Sequence, residues 1–278
     1  LGLCWSPSSN LIQLSHSYST DEMYGDNYGY RSGLNQSMID HLKSKVNFLE
    51  SLVNLEDQDL VLDIGSNDGT LLNSYSAKKI KKIGIDPSAE KFKKFYDEDI
   101  IIVDDFFSKE SFNGVSEKKA KIITSIAMFY DLESPASFVE DIYYTLDDNG
   151  VWHFEQSYLP AMIRTNSYDT ICHEHLEYYS LGVINKLLIR NKMKIVDVVM
   201  NSINGGSFAI TAVKDDCKKY DNNMIHLDWL LDQEKIAGYD DIDIYNRFAE
   251  RVEQHKKNLV SLLNNLKNSG KKIIGYGA

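Results

Sequence analysis

The chain has no long apolar run. Stretches such as Ile100-Ile101-Ile102-Val103 and Ile126-Ala127-Met128-Phe129-Tyr130 reach four or five residues, against the ~20 that a membrane-spanning helix needs. No membrane partner is expected. Cysteine is scarce too: Cys4, Cys172 and Cys217 are the three thiols among 278 residues, at no useful spacing, which suits a reducing, cytoplasmic setting. There is no basic excess, since 30 Lys+Arg against 41 Asp+Glu leave a net charge of −11. Such a chain repels phosphate backbones and anionic lipid unless a basic patch is segregated, and none is, so nucleic acid is not the expected partner. A natural start is also missing, because the first residue is Leu1. The last residues, Lys271-Lys272-Ile273-Ile274-Gly275-Tyr276-Gly277-Ala278, read as a strand running into a Gly turn with no helix behind it and no sheet of its own to join. The expectation is a fragment cut at both ends, with oligomeric state unknown.

What is present is a globular composition, 43% hydrophobic and 26% charged, which excludes disorder, collagen-like repeats and a disulfide scaffold. Residues 1–35 are rich in Ser, Tyr, Gly and Asn and read as a loop. Met38, Leu42, Val46, Leu49 and Val53 then recur at helical spacing and predict an amphipathic helix over about 35–54. Next come buried strands at 60–64, 81–85, 100–103, 121–126 and 151–154, separated by helical stretches or short turns. That alternation predicts an α/β fold, a parallel sheet with helices on both faces. Between 156 and 180 the rhythm breaks into Tyr, His and Glu. It resumes with a helix at 181–191 and strands at 193–199 and 206–213, joined by Asn204-Gly205-Gly206, a late antiparallel hairpin. Ile244, Phe248, Val252, Leu259, Leu262 and Leu266 predict a long helix over 241–268.

The run Asp63-Ile64-Gly65-Ser66-Asn67-Asp68-Gly69-Thr70 lies where the first of these strands meets its helix, the place where doubly wound sheets bind ligands. Gly-rich turns of this kind also occur for purely structural reasons. Asp86, followed by Pro87, stands 21 positions after Gly65 at the end of the next strand, where a carboxylate takes ribose hydroxyls; its alternative role is a helix cap. Gly65 and Gly69 are four apart with Asn67 between them, which departs from the dinucleotide fingerprint. Asp63 and Asp68 would repel a pyrophosphate and attract an ammonium and a sulfonium. The expected ligand is therefore S-adenosylmethionine rather than a nicotinamide dinucleotide. Asp104 or Asp105 is placed to reach the adenine amino group, and Phe106, Phe107, Ala127 and Met128 to sandwich the ring, although either phenylalanine could equally be core.

Glu155-Gln156-Ser157-Tyr158 and Tyr168-Asp169-Thr170-Ile171-Cys172-His173-Glu174-His175-Leu176-Glu177-Tyr178-Tyr179 crowd two histidines and several carboxylates and tyrosines onto the same sheet edge, as acid–base chemistry requires. A metal site is the rival reading. It lacks support, because Glu177 stands four residues after His173 where a zincin helix needs its second His.

The runs DIGSNDGTLL (63–72), TSIAMFYDL (124–132), FEQSY (154–158), YDTICHEHLEYY (168–179), NGGSF (204–208) and the terminal GYGA resemble the sugar C-methyltransferases, which methylate a carbon of nucleotide-linked 4-keto-deoxyhexoses. The resemblance spans nearly the whole chain. It implies an N-terminal zinc module, a Rossmann-like class I methyltransferase core binding S-adenosylmethionine over 36–214 with a catalytic insert at 156–180, and a C-terminal domain of which 215–278 carries a helical connector and the beginning. It also implies that Glu174 and His175 form the catalytic pair with His175 as base, and that Tyr28, Tyr30 and Ser32 are the family's Tyr-x-Tyr-x-Ser segment. Here Cys172 replaces a frequent Tyr and Asp131 a frequent His. Leu3-Cys4-Trp5-Ser6-Pro7-Ser8-Ser9 lacks the Cys-x-x-Cys of the zinc module, so zinc belongs only to a fuller module and none is expected here. The expected reaction is enolate formation beside the 4-keto group by His175, oriented by Glu174, with a tyrosine or His173 at the enolate oxygen. The alternatives are an O- or N-methyltransferase acting on another small molecule, and a non-enzymatic module that senses the cofactor.

Overall fold

Successive residues of one short strand face two different cores. Leu60, Leu62 and Ile64 point into one, with Ile83, Ile85, Ile123, Trp152 and Phe154, while Val61 points into the other, with Ile122, Val151, Val196 and Val213. A strand buried on both faces needs helices on both sides of its sheet. The computed structural model, which describes residues 1–18, 23–24, 28–77, 79–220 and 224–276, shows how they are supplied. Residues 25–27 of the Tyr-rich loop and the Gly277-Ala278 end of the expected Gly turn lie outside the described residues.

The elements run β1 (Leu3–Trp5), β2 (Ile12–Leu14), α1 (Gln36–Leu52), β3 (Leu60–Ile64), β4 (Lys81–Ile85), α2 (Ala89–Phe92), β5 (Ile100–Val103), α3 (Lys109–Asn113), β6 (Ala120–Ile126), α4 (Pro135–Thr145), β7 (Leu146–Ser157), α5 (Leu159–Thr165), β8 (Glu177–Tyr178), α6 (Leu181–Arg190), β9 (Met193–Asn201), β10 (Ser207–Lys214), α7 (Met224–Ala237) and α8 (Ile242–Asn268). The main sheet has the order β5-β4-β3-β6-β7-β10-β9. β5, β4, β3, β6 and β7 are parallel, and β10 is antiparallel to both of its neighbours. This is the mostly parallel sheet with a late antiparallel hairpin that the alternation predicted. Phe138, Val139 and Ile142 of α4, with Leu181, Ile184 and Leu188 of α6, close one face. Leu42, Val46 and Leu49 of α1, with Ala89 and Phe92 of α2, close the other.

Chain order steps outward from β3 to β4 and β5, then returns to β6 on the other side of β3. The helical crossovers therefore part above the β3–β6 boundary, which opens a crevice at the carboxyl ends of the strands.

Three regions differ from the sequence reading. The N-terminal loop contains a hairpin, β1–β2, which continues into β8 of the insert, with Leu14 N donating to Leu176 O at 2.8 Å. Strands of two or three residues are too short to show an alternation. α7 was not foreseen: Ile225, Trp229 and Ile236 stay exposed while Leu227 and Leu230 are buried, so apolar residues ring the helix and no period stands out. Residues 271–276 form no strand, because an isolated strand has no neighbour to take its backbone groups. α7 is part of the main body. Its buried Glu234 accepts hydrogen bonds from Leu181 N (2.6 Å), Gly182 N (2.7 Å) and Tyr158 Oη (2.8 Å), capping α6 and steadying the residue that follows β7.

Candidate active site

At the carboxyl ends of β3, β4, β6 and β7 lies a cavity of about 690 Å³. Its floor is the turn after β3. Gly65 has φ +70 and Gly69 φ +75, and a Cβ at Gly69 would come within 2.7 Å of the Tyr96 ring. Both positions thus combine a left-handed backbone with a close approach, for which glycine is suited. The Tyr96 hydroxyl is hydrogen-bonded to Ser66 Oγ and donates to Asn67 O, both at 2.8 Å. Asp86, at the end of β4, accepts from Asn67 N at 2.8 Å. The turn is therefore fixed before any ligand arrives.

The same turn carries the Tyr-rich segment. Asn67 accepts from Ser32 N and donates to Tyr30 O, both at 3.0 Å, while Asp68 Oδ2 accepts from Gly33 N at 3.0 Å and pairs with Arg31 Nε at 3.3 Å. Tyr28 and Tyr30 line the cavity as a result. Asp68 does not line it; its charge is used by Arg31 and the loop rather than facing a ligand. Gly69 likewise stands behind the wall. Asp63, Gly65, Ser66, Asn67, Asp86, Pro87, Phe106, Ala127 and Met128 do line the cavity. Asp105 stands off it, exposed, with its Oδ1 on Phe106 N, and Asp104 accepts from Glu90 N.

Asp63 is buried under the turn and accepts from Thr124 Oγ1 at 2.6 Å. Burial pushes its pKa from 3.8 up to about 7; the Thr124 hydrogen bond offsets part of the rise and the Asp86 charge adds to it. Between those two values the folded chain binds the proton more tightly than the unfolded one, so stability falls as pH rises from about 4 to about 7 and stays lower above. Asp63→Asn should therefore gain about 4 kcal/mol of stability at pH 8 and nothing at pH 3.5. Thermal melts at the two pH values check this, and an equal effect at both would refute it.

The insert brings Glu174 and His175 to the cavity's far wall. The half-buried His175 ring lies on Tyr130, centroids 4.3 Å apart, and its Nδ1 donates to Thr170 O at 2.8 Å. That bond fixes the tautomer and leaves Nε2 as the basic nitrogen. Burial works against a charge on the ring, but the Cys172 thiol and the Asp131 carboxylate beside it outweigh burial and push the pKa up to about 9. Burial also raises Asp131, so this pair holds its protons to higher pH than either group does in water. Glu174 is exposed and is not hydrogen-bonded to the ring; the Thr170 carbonyl orients His175 instead. His173 does not reach the cavity; it stacks edge-on against Tyr18 at 4.5 Å.

A family profile described as a methyltransferase domain matches residues 35–197, more than half of the chain. The chain belongs to the methyltransferase-domain family. A second profile, described as a C-methyltransferase C-terminal domain, matches residues 202–278 of the chain. The C-methyltransferase NovU of Streptomyces niveus is 25% identical over 277 residues, covering 99% of this chain and 64% of that protein. The chain thus spans about two thirds of that relative's length. Two solved structures share the fold. A chain of the complex between the Haloferax volcanii Trm112 methyltransferase activator and a methyltransferase has TM-score 0.52 at 14% identity, over 66% of this chain and 94% of that one. The plantazolicin methyltransferase BamL, in complex with a triazolic desmethylPZN analog and SAH, has TM-score 0.51 at 17% identity, over 65% and 87%.

The fold also surrounds Glu155 with side chains that the sequence did not single out, His41, Lys45 and Asn201. Glu155, at the end of β7, accepts from His41 Nε2 at 2.6 Å and Asn201 Nδ2 at 2.7 Å, and pairs with Lys45 Nζ at 2.6 Å. Burial raises its pKa, but His41 and Lys45 outweigh it and hold the carboxylate down at about 2. A buried carboxylate with three donors is fully compensated. In the sequence, His41 is one polar residue on an amphipathic helix, 114 positions from its partner. Among the described residues, no group of three His, Cys, Asp or Glu side chains is placed to hold a metal ion, and no helix is long and apolar enough to cross a membrane.

Proposed function

We propose that the chain uses S-adenosylmethionine to methylate a carbon of a nucleotide-linked keto-deoxy sugar. The observation that carries this reading is His175, which lines, with its Nδ1 held by the Thr170 carbonyl, the cavity that also holds the Gly65 turn and Asp86. The match to a C-methyltransferase profile and to NovU supports it. Asp63, with the Gly65–Asn67 turn, would hold the amino-acid end of the cofactor, Asp86 the ribose, and Phe106, Phe107, Ala127 and Met128 the adenine ring. The space fits, since a Cβ at Gly65 would approach Met128 Cγ to 3.2 Å and narrow the passage. When bound, the cofactor supplies an electrophilic methyl group and is left as the thioether.

The rest is done by the chain. His175 Nε2 takes the proton from the carbon beside the ketone, the electron pair of that C–H bond spreads onto the ketone oxygen, and the carbon regains its bond partner as the methyl is transferred. Tyr28 and Tyr30 line the cavity where they can donate to the oxygen; burial keeps the Tyr28 hydroxyl protonated beyond its ordinary pKa. Within this reading, 36–214 together with α7 is the catalytic body, and the chain beyond α7 begins a part that holds the nucleotide. The expected result is a mass gain of one methylene on a 4-keto nucleotide sugar, with the new methyl on carbon by NMR. A methyl on oxygen or nitrogen would replace this reading with its rival.

A further inference from the structure

The cavity contains a second imidazole on the side away from the cofactor turn. Asp86 ends β4 and Glu155 lies near the end of β7, three strand spacings across the sheet, or roughly 14 Å. A ligand whose ribose is at Asp86 and whose reactive end lies above β3 and β6 leaves the ground over β7 to the acceptor molecule. His41 reaches over from α1 into that ground: it lines the cavity, its side chain is 13% exposed, and its Nε2 is bound to Glu155 Oε1 at 2.6 Å. Glu155 is itself fixed by Lys45 and Asn201, so the ring cannot turn without breaking a buried charged contact. Nδ1 has no protein partner among the described residues.

We infer that His41 Nδ1 is a substrate-binding group that accepts a hydrogen bond from a hydroxyl adjacent to the ketone, with Glu155 as the residue that positions it. With Nε2–H held on the carboxylate, the neutral ring carries its lone pair on Nδ1, and a lone pair selects a donor. The substrate class is then narrower than a keto sugar: it is an α-hydroxy ketone, with the hydroxyl on the β7 side of the reacting carbon. His173, the second imidazole of the sequence reading, is stacked outside the cavity and cannot fill this place. The inference rests on the keto-sugar reading above.

The test pairs two substrates with three proteins. A 4-keto nucleotide sugar bearing the adjacent hydroxyl and its deoxy counterpart are assayed with wild type, His41→Gln and Glu155→Gln. His41→Gln retains an amide able to meet Glu155 but has no atom at Nδ1. It should lower kcat/KM about 30-fold for the hydroxylated sugar, mostly through KM, and stay within about three-fold on the deoxy sugar, because only the former loses a buried hydrogen-bond acceptor. Glu155→Gln should fall between wild type and His41→Gln on the hydroxylated sugar, with S-adenosylhomocysteine affinity unchanged. Losses of equal size on both sugars, or on neither, while wild type methylates them, overturn the role of His41 alone. A wild type that methylates no keto sugar overturns the function it rests on, and the role of His41 with it.

Discussion

His175→Gln should lose methyl transfer by ~10² to 10⁴, the range that a positioned general base contributes, while S-adenosylhomocysteine binds within about two-fold of wild type. The separation is expected because His175 stands on the insert wall, whereas the residues assigned to the cofactor belong to β3, β4, β5, β6 and the segments that follow them. The pH dependence is a sharper signature. A base works deprotonated, and the Cys172 thiol and Asp131 hold the His175 pKa up at about 9, so kcat/KM should climb with pH until about 9. Asp131→Asn removes one of the two groups that favour the imidazolium. Its rising limb should move to lower pH by about one unit, since a shift of one unit is only ~1.4 kcal/mol of lost interaction. The variant should then outperform wild type at pH 7. Activity within a few-fold of wild type in His175→Gln, or a limb that Asp131→Asn leaves in place, would put the base elsewhere.

How far the sequence led depends on how local each signal is. The parallel sheet was legible because strands such as Leu60–Ile64 and Ile100–Val103 are continuous apolar runs with turn residues at their ends, and α1 because Leu42, Val46 and Leu49 repeat at helical spacing. β7 was read as 151–154 and spans Leu146–Ser157. Its extra residues include Asp147, Asp148, Glu155 and Gln156, which look like loop until Lys121, Lys214, Lys45 and His41 are seen to neutralise the three acids. Compensation across the fold leaves no trace in a local pattern.

The site shows the same division. Motif and spacing led to Asp63, Gly65 and Asp86, and the family resemblance to Tyr28, Tyr30, Glu174 and His175, which line one cavity. They also led to Asp68, Gly69, Asp105 and His173, which flank it. Asp68 has the composition of a ligand residue, but Arg31 and Gly33, 37 and 35 positions away, take its carboxylate. His41 is the reverse case: nothing beside it in the chain marks it, and only the meeting of α1 with β7 gives it a carboxylate. Residue type says what a side chain can do; whether it is already occupied is decided by tertiary contacts.

Asp86→Ala should weaken S-adenosylhomocysteine binding by about 2–4 kcal/mol, the cost of depriving sugar hydroxyls of a charged acceptor together with some loosening of the turn. The carboxylate is already engaged: Oδ1 accepts from Ser88 N and Ser88 Oγ, both at 2.6 Å, and Oδ2 accepts from Asn67 N at 2.8 Å. A carboxylate offers about four acceptor sites, so these three donors leave one open, on Oδ2. The sequence reading gave both ribose hydroxyls to Asp86; the geometry has room for one unless the Ser88 hydroxyl turns away. Ser88→Ala separates the cases by freeing a second site on Oδ1 without touching the charge. It should keep or tighten cofactor affinity by a few-fold, whereas Asp86→Ala loses it about 30-fold or more. Calorimetry on the two variants, with melting curves to show that both remain folded, settles the assignment, and unchanged affinity in a folded Asp86→Ala would remove Asp86 from the ribose site.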